Sequence, residues 1–300
     1  MNNILEQVFR DLAHAQNIPA SSVPFLTASA SPMFNAIIRD GSASGHMKFV
    51  GICGAQGSGK TTITEGLAKA IRRTGLTVAA LSIDDFYLTR AKREQLARKI
   101  HPLFRTRGVP GTHDMDRATK LLDRLAAAAP GEPVPLPAFN KASDDRVPMS
   151  KEPVFHGRPE IVLIEGWCMG AVPQSAAELA TPVNRLEEEE DRDGIWRGHV
   201  NAQLAGPYRE FFERIDLLIM LKAPSFEQVY AWRLEQEQKL AARILAAEAS
   251  LATSKVMDEA ELARFIMLYE RLTRHIIEEM PSRADVVVEL DRDRRPVRIA

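Results

Sequence analysis

The sequence predicts an α/β fold: a mainly parallel sheet with helices on both faces, preceded by a helical extension. Short apolar runs alternate with segments of helical periodicity, a glycine-rich loop joins one such run to one such segment, and a linker-like stretch precedes the first run. Apolar runs without polar alternation mark strands covered on both sides, the condition of a parallel sheet between helical layers.

Residues 2–16 place Ile4, Val8 and Leu12 four apart, the spacing of an amphipathic helix. Residues 19–46, rich in Ser, Pro, Gly and Ala around "MFNAIIR", read as a linker with one helical turn. Residues 1–46 are thus an N-terminal extension and 47–300 the main domain. "KFVGIC", from Lys48, is the first strand; the helix after it carries Ile63, Leu67 and Ile71 and stops near Gly75. "TVAALSI" is the second strand, and 114–129, with Leu121, Leu122 and Leu125, the next helix. "EIVLIEG" and "IDLLIML" are the third and fourth strands. A helix from Ser225 to about Glu248, another over 258–278 and a last strand, "ADVVVEL", complete the pattern. Segments 99–113 and 130–158 look irregular, and long stretches of that kind inside a compact α/β domain are usually functional loops.

A chain of 300 residues, 45% hydrophobic and 26% charged, can bury a sizeable core. Its net charge of -1 carries no electrostatic footprint for nucleic acid or an anionic membrane. No apolar stretch approaches the ~18 residues of a membrane span. "MNNILEQVFRDLAHAQN" places charges where a secretory signal needs an apolar core, so the chain reads as cytoplasmic. The two cysteines, Cys53 and Cys168, make neither a disulfide framework nor a zinc site and read as buried thiols.

The chemistry starts in "GICGAQGSGKTT", residues 51–62, which contains Gly54-x-x-x-x-Gly59-Lys60-Thr61. Glycines at those positions let several backbone N–H groups turn toward phosphate oxygens, and the following helix adds its N-terminal dipole. Lys60 suits the β- and γ-phosphates and the Thr61 hydroxyl suits Mg²⁺. With Gln56, Gly57, Ser58 and Thr62 these residues form the ATP-binding set. The sheet is therefore of the P-loop NTPase type.

Ligands of such sheets bind beyond the carboxyl ends of the strands. The second strand ends in "SIDDFYLT", which brings Asp84 and Asp85 there. A kinase needs a carboxylate at that place to orient the acceptor hydroxyl and take its proton; successive strand residues face opposite ways, so one of the two points inward. Glu165 of "VLIEGW" stands where a Walker-B acid holds Mg²⁺ through water. "FRTRGVPGTHDMD" offers Arg105, Arg107, His113 and Asp114, and "PAFNKASDDR" offers Lys141 and Arg146, loops that suit a small anionic acceptor. His113 reads as a hydrogen-bonding residue. Arg233 and Lys239 of "YAWRLEQEQKL" are lid candidates. The acidic run of "LEEEEDRDGIWRGHVNAQL" reads as a solvated helix face ahead of Trp196, Val200 and Leu204. Asn140-Lys141-Ala142-Ser143 lacks the Asp of a guanine-reading motif and precedes the third strand, too early for that role.

Together "GAQGSGKTT", "SIDDFYLT", "RTRGVPGTHDMD", "PAFNKASDDR", "EGW" and "WRLEQE" resemble the D-glycerate 3-kinases of the plant and fungal type, relatives of phosphoribulokinase, uridine kinase and bacterial pantothenate kinase. The resemblance covers roughly residues 48–298. It implies an ATP- and Mg²⁺-dependent kinase that phosphorylates a hydroxyl of D-glycerate, a small molecule, with no nucleic acid or membrane as partner. It selects Asp84 over Asp85 as the catalytic carboxylate beside Lys60, puts the Walker-B-like acid on Glu165, and implies acceptor contacts from Tyr87, Arg105, Arg107, His113, Lys141 and Arg146. The chain departs from the family at Phe139-Asn140-Lys141, where many relatives have Tyr-Asp-Lys, and at Ser254-Lys255-Val256-Met257, where a Gly-x-Gly-Met turn is common. Two alternatives stay open: a kinase for a nucleoside, pantothenate or a sugar, and a nucleotide-binding switch or adaptor.

Overall fold

The computed structural model describes residues 2–39, 46–246 and 257–300. In chain order its elements are α1 (Asn2–Gln16), α2 (Val23–Arg39), β1 (Lys48–Gly54), α3 (Lys60–Arg73), β2 (Val78–Ser82), α4 (Arg90–Lys99), α5 (Met115–Ala127), β3 (Pro133–Pro135), β4 (Phe139–Asn140), β5 (Asp145–Arg146), β6 (Val154–His156) and β7 (Ile161–Gly166). There follow α6 (Ala176–Ala180), α7 (Arg185–Glu190), α8 (Ile195–Ala205), α9 (Pro207–Phe212), β8 (Leu217–Lys222), α10 (Phe226–Ala246), α11 (Glu259–Glu279), β9 (Val286–Leu290) and β10 (Pro296–Ile299).

The central sheet has the order β10-β9-β8-β1-β7-β2. β9, β8, β1, β7 and β2 run parallel, and only β10 runs antiparallel, against β9. β10 lies beyond "ADVVVEL", expected to be the last strand. The strands alternate their apolar side chains between two cores. Phe49, Cys53, Val162, Ile164 and Met220 enter one, capped by α5, α8, α9 and α11, which contribute Leu122, Trp196, Tyr208 and Leu272. Val50, Ile52, Leu163, Ile219 and Val288 enter the other, with Leu67 of α3, Trp232 of α10 and the N-terminal helices.

Those N-terminal helices depart from the expectation. Residues 23–39 form a continuous helix rather than a linker with one turn. Pro32 lies inside it, but Ala30, Met33, Phe34 and Ile37 follow helical spacing and are fully buried, so packing outweighs the lost backbone bond. Phe9 of α1 presses onto α3 at Gly66, where an added Cβ would stand 2.3 Å from its ring. A glycine inside a helix costs about 1 kcal/mol; here it admits an aromatic ring. The extension is thus a layer of the second core.

α4 was not apparent in the sequence. The irregular stretch 130–158 holds two small antiparallel pairs, β3 with β6 and β4 with β5. Within the acidic run, Glu188, Glu189 and Glu190 are exposed as expected, but Glu187 is buried against Arg271 and Asp191 against Arg197. Cys53 and Cys168 are free and buried, and burial pushes the Cys53 thiol up to about 12. The expected helix end near Glu248 and Ser254-Lys255-Val256 lie outside the described residues. Among the described residues, no helix is long and apolar enough to cross a membrane.

Candidate active site

The glycine-rich loop joins the carboxyl end of β1 to the first turn of α3. Gly57 and Gly59 adopt φ of +81° and +87°, a region that favours glycine. A Cβ on Gly57 would also stand 2.5 Å from the Cβ of Trp232, so α10 packs directly on the loop. Arg294, in the turn between β9 and β10, donates Nε to the Gly57 carbonyl at 2.6 Å and lies over the Trp232 ring at 5.2 Å. Inside the loop, the Gln56 side-chain oxygen and the Ser58 hydroxyl are buried without a hydrogen-bond partner.

At the start of α3, the Thr61 hydroxyl donates to Glu165 Oε1 at 2.8 Å, and Lys60 Nζ lies 3.9 Å from Glu165 Oε2. Glu165 lies next to last on β7, the strand paired with β1, which explains how residues far apart in sequence meet. Its Oε2 is buried with no hydrogen-bond partner among the described residues. Thr62 follows on α3, half-buried.

β2 runs out into a short 3₁₀ turn, Ile83–Phe86. Ser82 and Asp85 close it as a reciprocal cap: Asp84 N–H donates to the Ser82 hydroxyl at 3.2 Å, and Ser82 N–H to Asp85 Oδ2 at 2.9 Å. Asp85 is thereby folded back onto its own turn. Burial, with the Asp84 and Glu165 carboxylates nearby, pushes its carboxyl up to about 6. Asp84 faces the cleft, where it accepts from the Tyr87 hydroxyl at 2.8 Å and from Lys141 Nζ at 2.6 Å. Burial alone would raise Asp84, but the ammonium of Lys141 and the charge of Lys60 outweigh it and hold the carboxyl below its ordinary value.

Tyr87 is held from behind. His113 stacks on its ring with centroids 4.5 Å apart, and His113 Nδ1 lies 2.6 Å from the Tyr208 hydroxyl. Burial lowers His113 to about 4, so its ring is neutral near pH 7. Arg146 binds the Tyr87 carbonyl at 2.7 Å and the Asp114 carboxylate at 2.8 Å.

These groups surround a cleft of about 320 Å³. One side is Gln56, Gly57, Lys60 and Thr61; the other is Asp84, Tyr87, Arg107, Lys141, Trp167, Arg233, Gln236, Phe265 and Tyr269. Arg107 pairs with Asp144 and lies over the Phe139 ring at 5.5 Å. Arg233 pairs with Glu237.

A protein-family model, "Methylmalonyl Co-A mutase-associated GTPase MeaB", matches residues 12–87, a segment that ends before Arg107, Lys141 and the later residues of the cleft. The uncharacterized kinase mug58 of Schizosaccharomyces pombe is 33% identical over 229 residues, covering 73% of this chain and 77% of that protein. The chloroplastic D-glycerate 3-kinase of Arabidopsis thaliana is 28% identical over 259 residues, 83% of this chain but only 53% of the plant protein. A D-glycerate 3-kinase from Cryptococcus neoformans shares the fold at a TM-score of 0.69 and 22% identity, over 92% of this chain and 98% of that one. The chain belongs to the same kinase family as mug58, and D-glycerate 3-kinases are among the proteins it resembles. It is an ATP-dependent phosphotransferase.

Of the residues singled out in the sequence, Lys60, Thr61, Asp84, Tyr87, Arg107 and Lys141 line the cleft, and Glu165 lies beside Thr61 and Lys60. Three residues expected at the acceptor, Arg105, His113 and Arg146, do not line the cleft. Arg105 points outward, its side chain 64% exposed and 3.5 Å from Glu94. His113 and Arg146 stand behind Tyr87. Of the lid candidates, Arg233 lines the cleft, whereas Lys239 pairs with Glu235 on the exposed side of α10. Trp167, Gln236, Phe265 and Tyr269 escaped the sequence reading. Trp167 lay within the "EGW" motif and could have been found; Phe265 and Tyr269 look in sequence like core positions of a helix.

Proposed function

We propose that this kinase transfers the γ-phosphoryl group of ATP to a hydroxyl of D-glycerate, giving ADP and 3-phosphoglycerate. The observation that carries the reading is the Asp84 carboxylate, kept ionised by Lys141, in one cleft with the phosphate loop and with Arg107 and Arg233. The cations suit a small acceptor that bears a carboxylate, and the relatives' names favour glycerate. Glycerate's hydroxyl would displace Lys141 from Asp84, attack the γ-phosphorus as the bond to the bridging oxygen breaks, and pass its proton to Asp84. Lys60 would follow the charge on the β- and γ-oxygens. The Thr61 hydroxyl and the unpartnered Glu165 oxygen fit Mg²⁺, directly or through water. Bound there, the ion neutralises phosphate charge.

A nucleotide-driven switch is favoured only by the GTPase-family match over 12–87. A single assay separates the readings: nucleoside-diphosphate release from ATP and from GTP, measured with glycerate, pantothenate, uridine and simple sugars. ATP-dependent turnover that needs glycerate supports the proposal. Turnover faster with another acceptor replaces the substrate, and slow turnover indifferent to every acceptor replaces the reaction.

A further inference from the structure

Arg93 lies on α4 and is 1% exposed, although it is charged. A buried guanidinium is costly unless nearly all of its N–H groups find partners. Arg93 finds them on separate stretches of chain. Its Nε donates to the Leu88 carbonyl at 3.3 Å and one terminal nitrogen to the Arg105 carbonyl at 2.7 Å. The other donates to the Asp144 carbonyl at 3.0 Å and pairs with the Asp144 carboxylate at 2.9 Å. Leu88 follows the turn that carries Asp84 and Tyr87, Arg105 precedes Arg107, and Asp144 closes the β4–β5 hairpin that carries Lys141. The second oxygen of Asp144 pairs with Arg107 itself. Asp144 has a φ of +56°, so its backbone is held in a left-handed conformation while its carboxylate bridges the two arginines. Burial would raise that carboxyl, but the hydrogen bonds and charges of Arg93 and Arg107 hold it below its ordinary value.

A cation needed only for stability could satisfy itself within one loop. This one joins three of the segments that present the acceptor wall, those bearing Asp84, Arg107 and Lys141, and none of these bonds reaches the phosphate loop. We infer that Arg93 is a positioning residue for the acceptor: through Asp144 and two carbonyls it sets Arg107 and Lys141 against Asp84 without touching the acceptor. The inference rests on the proposal that this cleft binds the acceptor.

The test is steady-state kinetics of Arg93→Met, Arg93→Lys and Asp144→Asn with ATP and glycerate varied separately. Asn tolerates the left-handed backbone at 144, so that variant removes charge without forcing the turn. Arg93→Met and Asp144→Asn should each raise the KM for glycerate about tenfold or more, with the KM for ATP within about twofold of wild type. Arg93→Lys should recover part of the loss, because it keeps the charge beside Asp144 but not the fork. The two changes share the Arg93–Asp144 contact, so the double variant should lose less than the sum of the two singles. Equal rises in both KM values, or full additivity, overturn the inference. If Arg93→Met does not fold, Arg93→Lys and Asp144→Asn carry the comparison. If the wild type does not turn over glycerate at all, the substrate reading fails separately. Hydrogen exchange then decides: amides of 105–108 and 139–147 should exchange faster in the variants while those of 54–60 do not, and unchanged exchange in the first two segments sinks the positioning role.

Discussion

The two walls of the cleft are built on opposite plans. The nucleotide wall is one contiguous loop, fixed by its own glycines and pinned by backbone contacts from Trp232 and Arg294. The acceptor wall is assembled from several distant stretches and held largely by ion pairs, Asp84 with Lys141, Asp144 with Arg107 and Arg93, and Asp114 with Arg146. The first plan gives a rigid site for a ligand common to many enzymes. On the proposed reaction the second would let the acceptor alter the pairing, since its hydroxyl would replace Lys141 at Asp84.

The sharpest way to break this contrast is to remove one charge from each wall. Lys60→Ala should lower phosphoryl transfer by roughly 10²–10³ and weaken ATP binding as well. Asp84→Asn should lower kcat by roughly 10² or more and leave ATP affinity alone. Near wild-type turnover in either variant removes that residue from the mechanism, and a matching loss of nucleotide binding in both would mean that the walls do not act separately.

A smaller effect divides the arginines of one loop. Arg107→Ala should raise the KM for glycerate about tenfold, while Arg105→Ala, facing solvent, should change neither KM by more than about twofold. The reverse ranking would mean that the loop turns over when the acceptor binds.

The smallest effect concerns stability. The folded value of Asp85, about 6, lies above its ordinary 3.8. Its contribution is therefore fully present below pH ~4 and is lost as pH rises through 6. Asp85→Asn can still accept the Ser82 N–H and carries no charge to bury. It should be more stable than wild type at pH 7.5, by about 2–3 kcal/mol, and no more stable at pH 4. Thermal melts at the two values check this, and an advantage independent of pH would assign the gain to something other than the carboxylate.

The contrast also explains what the sequence revealed. The phosphate loop was legible because its chemistry and its geometry share one run of residues. Glu165 was legible because a strand places the residues at its carboxyl end predictably. Asp84 was selected by resemblance, strand alternation saying only that one of the two acids points inward, yet the structure separates them differently. The turn is 3₁₀, and the Ser82-x-x-Asp85 cap turns Asp85 away. That spacing was readable in the sequence as a capping box. Arg105 was overcounted because a loop's composition says nothing about which side chains face inward. α4, "RAKREQLARK", has almost no apolar face; the Thr89 cap and the buried Arg93 hold it. Tyr269 was hidden differently: its hydroxyl donates to the Arg107 carbonyl at 3.0 Å, a role that no periodicity reveals.

The ring of Phe9 against Gly66 bears on where the polypeptide can be cut. A chain started at Lys48 keeps every group of the cleft and so looks sufficient on paper. It would nonetheless strip α1 and α2 from Ile63, Leu67 and Ile71 and leave an oily flank on the very helix whose first turn carries Lys60 and Thr61. Contiguous apolar surface of that kind favours self-association. A shortened enzyme should therefore be lost to precipitation before its chemistry can be measured, and the first two helices belong in any preparation meant for assay.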